Sequence, residues 1–278
     1  MSDAKSSYRL AIVGWPVGSS LSPQLWETMG ARRGLEIEYQ RWPVEPGDKE
    51  AWEAIWDSDL DAFNVTAPYK ESAAGRCDRL SSAAERIASV NTVVRKSGGW
   101  RGETTDGYGF LRSLEEADVA VAGQRIVLLG TGGAGRAVAR AAADSDACVT
   151  FVSRAAERVV IGCEDCDCVG WDALDLLELP TIVVNATPLG RQAGDEPPIP
   201  YRTWFPSAAA VDLNYDPPVT RFLELASNEG ARAINGVGAL VHQAALAAAL
   251  LIDDDPRAAA GYANDFRAAA QKEQAPRC

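Results

Sequence analysis

The chain has 278 residues, 47% of them apolar, which suggests one or two globular domains with a large core and excludes a disordered or fibrous chain. A formal net charge of −12, without a clustered Lys/Arg stripe, excludes nucleic acid as a partner on electrostatic grounds. There is no apolar run of about 18 residues, and MSDAKSSYRLAIVG lacks the marks of a signal peptide, so a soluble, cytoplasmic protein with no membrane partner is expected.

Strand and helix patterns alternate along the chain, which predicts a parallel sheet with covering helices. YRLAIVG (8–14) reads as the first strand. Ser22-Pro23 opens a helix, with Ser22 as N-cap, Pro23 at the first helical position and Gly34 as its stop. IEYQRWPV (37–44) is a second strand, PGDKEAWEAIW (46–56) a second helix and DAFNVT (61–66) a third strand. Just beyond it stands Lys70, a charge placed where strands of α/β proteins open into clefts. Ser82 and Glu85 read as a capping box before a short helix. VNTVVRK and WRGE read as a hairpin around Ser97-Gly98-Gly99, and 107–117 as a helix leading to a turn at Ala122-Gly123.

A second unit then begins. RIVLL (125–129) is a continuous apolar strand, followed by GTGGAGRA and a helix to about Ala143. CVTFV (148–152), TIVVNAT (181–187), AAAVDLNY (208–215) and ARAIN (231–235) read as further strands. Two helices close the chain, an apolar one at 238–252 and a more polar one from Asp255 to about Lys272. The apolar helix follows a completed second unit, so it is expected to cross back to the first and make that domain discontinuous. Cys163, Cys166 and Cys168 lie in GCEDCDCVG. Thiolates with carboxylates bind zinc, but no further ligand pair follows at suitable spacing, so an exposed loop with reduced thiols and no metal is expected.

GTGGAGRA fits G-x-G-x-x-G at Gly130, Gly132 and Gly135, directly after a strand and opening a helix. There the backbone can approach a pyrophosphate, and the helix N-terminus supplies free N–H groups and partial positive charge. The other reading is an ordinary glycine-rich turn. An NAD site favours an acidic residue after the next strand. Here Ser153, Arg154 and Arg158 follow it, and two guanidiniums beside a hydroxyl suit a 2′-phosphate. NADP is therefore expected, with NAD and a pair of merely solvated arginines as alternatives. Ser20, Ser22, Asn64, Lys70, Asn91, Thr105 and Asp106 supply hydroxyls, amides, one cation and one carboxylate, an inventory that suits a polyhydroxylated acid. Taken singly, Ser22 and Asp106 also read as helix caps, Asn64 as a turn former and Lys70 as a surface cation.

Together these motifs resemble the shikimate dehydrogenase family over nearly the whole chain. G-x-P-x-x-H-S-x-S-P is similar to GWPVGSSLSP (14–23), with Ser19 in place of histidine. N-V-T-x-P-x-K is complete as NVTAPYK (64–70). G-x-N-T-D-x-x-G is met by GETTDGYG (102–109), with Thr104 in place of asparagine. GTGGA (130–134), SRA (153–155), NATPLG (185–190), VDLNYDPPVT (211–220) and LVHQAALA (240–247) follow in the family's order.

The resemblance implies an α/β fold with an N-terminal substrate domain (1–107 with 239–278), a Rossmann NADP domain (108–238) and a cleft between them. It implies that Lys70 and Asp106 form the catalytic pair. Ser20, Ser22 and Tyr215 would hold the substrate carboxylate, and Asn64, Thr66, Asn91, Thr105, Asp106 and Gln243 its hydroxyls. The cofactor would rest on Gly130, Gly132, Gly133, Ala134 and Gly135, on Ser153, Arg154 and Arg158, and on Asn185, Thr187 and Gly236. The implied activity is the reversible, NADP-dependent reduction of 3-dehydroshikimate to shikimate in aromatic amino acid (chorismate) biosynthesis, by a monomer or homodimer. Alternatives are a quinate/shikimate or aminoshikimate dehydrogenase, or a non-catalytic sensor of NADP or shikimate. His242, the only histidine, inherits no role and reads as structural.

Overall fold

The structure, a computed structural model, describes residues 5–154, 162–176, 180–190, 195–196 and 209–274. The chain divides into two compact units, residues 1–105 with 241–278 and residues 106–240.

In the first unit, β1 (Ser7–Gly14) leads into α1 (Ser22–Arg33), β2 (Glu36–Pro43), α2 (Lys49–Trp56) and β3 (Ala62–Val65). Then come α3 (Lys70–Arg76), β4 (Arg79–Leu80), α4 (Ser82–Ile87), β5 (Thr92–Lys96) and β6 (Gly99–Glu103). The sheet order is β2-β1-β3-β5-β6-β4. The expected hairpin is present: β5 runs antiparallel to β3, and β6 antiparallel to β5, because their short connection leaves no room for a crossover helix. This reversal has a consequence for function. The start of β5 and the end of β6 lie at the same end of the sheet as the carboxyl ends of β1 and β3.

Two caps differ from the sequence reading. Leu21, not Ser22, is the N-cap of α1, and no side chain caps that helix, so Ser22 is its first residue; Gly34 closes it in the left-handed conformation as expected. The α4 cap is Ser81, whose side chain accepts from the Ala84 N–H, so Ser82 and Glu85 form no capping box. In α2, Asp48 accepts from the Ala51 N–H and delays the helix start.

The core under the first sheet is aromatic. Trp56 and Trp100 meet Phe63 edge-on, with centroids 5.1 and 5.2 Å away, and Tyr69 stacks on Trp52 at 4.8 Å. Rings of this size fix the strand ends that carry polar groups.

The second unit starts with α5 (Asp106–Glu116) and β7 (Arg125–Leu129), followed by α6 (Gly133–Ala143), β8 (Cys148–Val152) and β9 (Asp167–Val169). β10 (Ile182–Asn185), β11 (Ala209–Asp212), α7 (Arg221–Asn228) and β12 (Arg232–Ile234) complete it. Every pairing is parallel, and the order β12-β11-β10-β7-β8-β9 is the doubly wound order of a Rossmann half-pair, with its switch point between β7 and β10. α8 (Val237–Ala248) ends in a π-helical turn, Ala249–Asp253, and α9 (Ala259–Gln274) follows.

The sequence reading missed α3, α7, β4 and β9, all of them short. The cysteine segment also differs from expectation. Cys163 is buried in the second unit's core with its sulfur against that of Cys166, and Cys168 lies in β9, so the segment is not simply an exposed loop.

Candidate functional site

The two loops at the switch point of the first sheet, after β1 and after β3, are stitched together. The Thr66 N–H donates to the Val13 carbonyl and the Trp15 N–H to the Ala67 carbonyl, both at 2.9 Å. Lys70 begins α3 directly after this turn. Its neighbour Tyr69 is buried, and the Tyr69 hydroxyl donates to the Glu45 carbonyl at 2.7 Å, while the Val90 N–H donates to the Lys70 carbonyl at 2.9 Å. The backbone at Lys70 is thereby held on both sides.

At the same end of the sheet Asn91, Thr105 and Gln243 converge. The Thr105 N–H donates to Asn91 Oδ1 at 2.7 Å, and Asn91 Nδ2 donates to Thr105 Oγ1 at 2.8 Å. Gln243 Oε1, from α8, lies 3.3 Å from Thr105 Oγ1 and 3.4 Å from Asn91 Nδ2. Asn91 and Thr105 are buried, so these bonds matter: an amide or hydroxyl left unpaired there costs about 1–3 kcal/mol.

Asn64 is committed inward. Its Oδ1 accepts from the Tyr39 hydroxyl at 2.8 Å, and its Nδ2 donates to the Asn91 carbonyl and to Thr92 Oγ1 at 3.3 and 3.1 Å. In the loop after β1, Ser20 and Ser22 are buried, and the Ser22 N–H donates to Ser20 Oγ at 3.3 Å. Among the described residues the Ser20 hydroxyl donates to no acceptor.

In the second unit the loops after β7 and β10 meet. Gly130 has φ +99, and a Cβ there would lie 3.0 Å from Thr187 Cγ2. Gly135 must also be glycine, since a Cβ would sit 2.3 Å from the Gly130 carbonyl oxygen. A Cβ on Gly132, by contrast, would meet nothing within 4 Å, and the first turn of α6 carries neither a side-chain cap nor an acidic residue. With Gly133 and Ala134 in that turn, the loop offers open space, unclaimed N–H groups and the positive end of a helix dipole. This arrangement fits a dinucleotide pyrophosphate. Ser153 donates its N–H to the Val169 carbonyl just beyond β8, and Arg154 beside it is exposed; Arg158 lies outside the described residues.

Around Asp212 the structure shows a network that sequence reasoning missed. Asp212 is fully buried and accepts from Thr220 Oγ1 (2.6 Å), the Asn214 N–H (2.9 Å), Asn214 Nδ2 (2.8 Å) and Asn185 Nδ2 (3.1 Å). Asn185 Oδ1 accepts from both the N–H and the hydroxyl of Thr187. Burial pushes the Asp212 carboxyl above the ordinary aspartate range, and the bonds from Thr220, Asn214 and Asn185 pull it back. The network fixes the loops that carry Asn185, Thr187 and, three residues after Asp212, Tyr215. Gly236 packs on the same loop: its N–H donates to the Asn214 carbonyl at 3.0 Å, and a Cβ would lie 2.3 Å from the Leu213 carbonyl oxygen.

The structure thus brings Asn64, Thr66, Lys70, Asn91, Thr105 and Gln243 to one end of the first sheet, and Gly130, Asn185 and Thr187 to the switch point of the second. Asp106 and Tyr215 belong to the second unit. Buried His242 meets Arg267 Nη2 at 3.3 Å on the helices α8 and α9.

Strand order and glycine loop together define a Rossmann-type dinucleotide unit in a chain that also carries a mixed α/β unit lined with hydroxyls and amides. The family model for the shikimate dehydrogenase substrate binding domain matches residues 12–93. The shikimate dehydrogenase (NADP(+)) of Acidiphilium cryptum is 37% identical over 241 residues, covering 85% of this chain and 87% of that protein. The enzyme of that name from Stenotrophomonas maltophilia is 36% identical over 253 residues, covering 85% and 88%. The shikimate 5-dehydrogenase of Thermus thermophilus, solved in complex with NADP(H) and shikimate, superposes with a TM-score of 0.80 at 33% identity, over 94% of this chain and 99% of that one. The chain belongs to the shikimate dehydrogenase family. Among the described residues no helix is long and apolar enough to cross a membrane.

Proposed function

We propose that the chain reversibly reduces 3-dehydroshikimate to shikimate with NADPH, in the cytoplasm, within aromatic amino acid biosynthesis. The single observation that carries this reading is the hydrogen-bonded set Asn91–Thr105–Gln243 at the same sheet end as the Lys70 turn. It offers fixed amide and hydroxyl groups to a polyhydroxylated ring. We assign the substrate to residues 1–107 with 239–278, and the cofactor to 108–238.

Ser20 and Ser22, with Tyr215, bind the carboxylate. Thr66, Asn91 and Gln243 orient ring hydroxyls, with Asn64 and Thr105 holding them in place. Gly130, Gly132, Gly133, Ala134, Gly135, Asn185, Thr187 and Gly236 hold the dinucleotide, and Ser153, Arg154 and Arg158 its 2′-phosphate. NADPH, when bound, supplies hydride to the carbonyl carbon. Lys70 donates the proton that the carbonyl oxygen needs, and its ammonium stabilises the charge that develops there. Asp106 positions the Lys70 side chain and accepts from a neighbouring ring hydroxyl. In the oxidation direction Lys70 takes the hydroxyl proton.

The experiment is turnover with shikimate and NADP, followed by absorbance of the reduced nicotinamide, with quinate and NAD as parallel arms. Turnover with shikimate and NADP exceeding the other three combinations is expected. No turnover with that pair overturns the proposal.

A further inference from the structure

The carboxylate end of this site, as read so far, consists of neutral hydroxyls on a chain whose net charge is −12. An anion approaching such a surface needs a local cation. The structure places one beside the serine loop.

Arg41 lies on β2, paired in register with Ile12 of β1. Its Nη2 donates to the Ser20 carbonyl at 2.8 Å and to Gln24 Oε1 at 3.1 Å. A guanidinium has five N–H donors. The other three on Arg41 have no partner, and Arg41 has no carboxylate partner, among the described residues. Arginines on the adjoining β1 and α1 are paired: Arg9 with Asp59, and Arg32 and Arg33 with Asp265. Two positions earlier on the same face of β2, Tyr39 holds Asn64. One strand therefore tethers both the serine loop and the amide of the NVTAPYK turn.

We infer that Arg41 is a positioning and specificity residue for the substrate's carboxylate: its guanidinium fixes the Ser20 backbone and supplies the positive charge that the serine hydroxyls lack. This inference rests on the proposed function and deepens it. Arg41 forms no part of the proton-transfer machinery, so its loss acts on binding and leaves the chemical step intact.

The test compares the intact enzyme with Arg41→Gln and Arg41→Lys, using shikimate and its methyl ester. Arg41 is exposed, so both variants fold. Losing a charge-assisted contact predicts a rise in the shikimate KM of about 10- to 100-fold in Arg41→Gln. The kcat and the KM for NADP should stay within about threefold, and the ester KM should barely move, because the ester carries no charge to recognise. Arg41→Lys should recover most of the loss. Added salt should raise the shikimate KM of the parent more than that of Arg41→Gln. An unchanged shikimate KM in Arg41→Gln overturns the inference. So does an equal rise for acid and ester, which marks Arg41 as a brace of the loop without a charge role. A parent enzyme with no shikimate turnover removes the functional reading itself, and the inference falls with it.

Discussion

Thr220→Val tests the most heavily bonded buried carboxylate of the second unit. The substitution keeps the side chain's shape and removes one oxygen, so it leaves no cavity. That oxygen does two things. It donates to Asp212 Oδ2 at 2.6 Å, with both residues fully buried, and it accepts from the Leu223 N–H at 3.4 Å as the cap of α7. A hydrogen bond to a charged group contributes about 1.5–3 kcal/mol. A helix cap contributes about 1 kcal/mol. The expected loss is therefore roughly 2.5–4 kcal/mol at neutral pH, read from urea unfolding followed by circular dichroism.

The pH dependence identifies the source. Burial raises the Asp212 carboxyl above its ordinary value of 3.8, and the Thr220 bond is the first of the contacts that lower it. A carboxyl raised in the folded state binds its proton more tightly there than in the unfolded chain. Its contribution is thus favourable at low pH, and stability is lost as pH climbs from the unfolded value through the folded one. Removing Thr220 raises the folded value further and extends that window upward. The gap between variant and parent should be smallest in acid, where both carry a neutral carboxyl, and widen to its full size above the variant's pKa. A gap below about 0.5 kcal/mol at neutral pH, the usual scatter of surface changes, refutes the bond. A gap that does not change with pH refutes its ionic character.

Lys70→Ala should lower kcat by about 10²–10⁴-fold with a much smaller change in KM, and a folded variant within about threefold of the parent ends the proton-transfer role. Gly135→Ala places a Cβ 2.3 Å from the Gly130 carbonyl and must shift the loop, so NADPH binding by fluorescence titration should weaken while shikimate binding by calorimetry holds; unchanged NADPH affinity refutes the packing argument. Arg154→Ala should cost about 10- to 100-fold in NADP affinity and little in NAD affinity, measured by titration with each, and an equal loss for both cofactors assigns Arg154 no part in 2′-phosphate recognition.

The long elements were legible because their periodicity reports burial directly. RIVLL and CVTFV are apolar at nearly every position, and both lie inside a parallel sheet. The glycine loop was legible because only glycine permits its close approaches, so the residue type itself records the geometry. Short elements left no such trace. α3 spans about two turns of mixed residues after a proline, and β9 is three residues long, too short for any period to show. The caps failed by one residue: at α4 Ser81 and Ser82 offer adjacent hydroxyls and sequence alone does not choose between them, and at α1 the cap is Leu21, whose side chain carries no capping group to signal it.

The candidate site divides along the same line. Lys70 stood out as a cation at a strand end, Asn91 and Thr105 as part of a polar inventory at strand ends and turns, and Gln243 only through the resemblance to the family's glutamine-bearing helix. Tyr39 and Arg41 could not be singled out, since a tyrosine or arginine in a strand is ordinary, and Thr220 stood in the motif VDLNYDPPVT without a role. What gives them meaning is register. Leu10 pairs with Tyr39 and Ile12 with Arg41, and this alone sets the two β2 side chains beside the serine loop and Asn64. A slip of one residue would turn both to the opposite face of the sheet. Asp212 makes the same point from the other side. Its residue type and three of its four donors, two on Asn214 and one on Thr220, lie within VDLNYDPPVT, but the fourth, Asn185, reaches it only through the β10–β11 pairing that sets Asn185 opposite Asp212. Residues carried by local motifs can be read from the sequence, whereas residues that hold them in place are defined by long-range pairing.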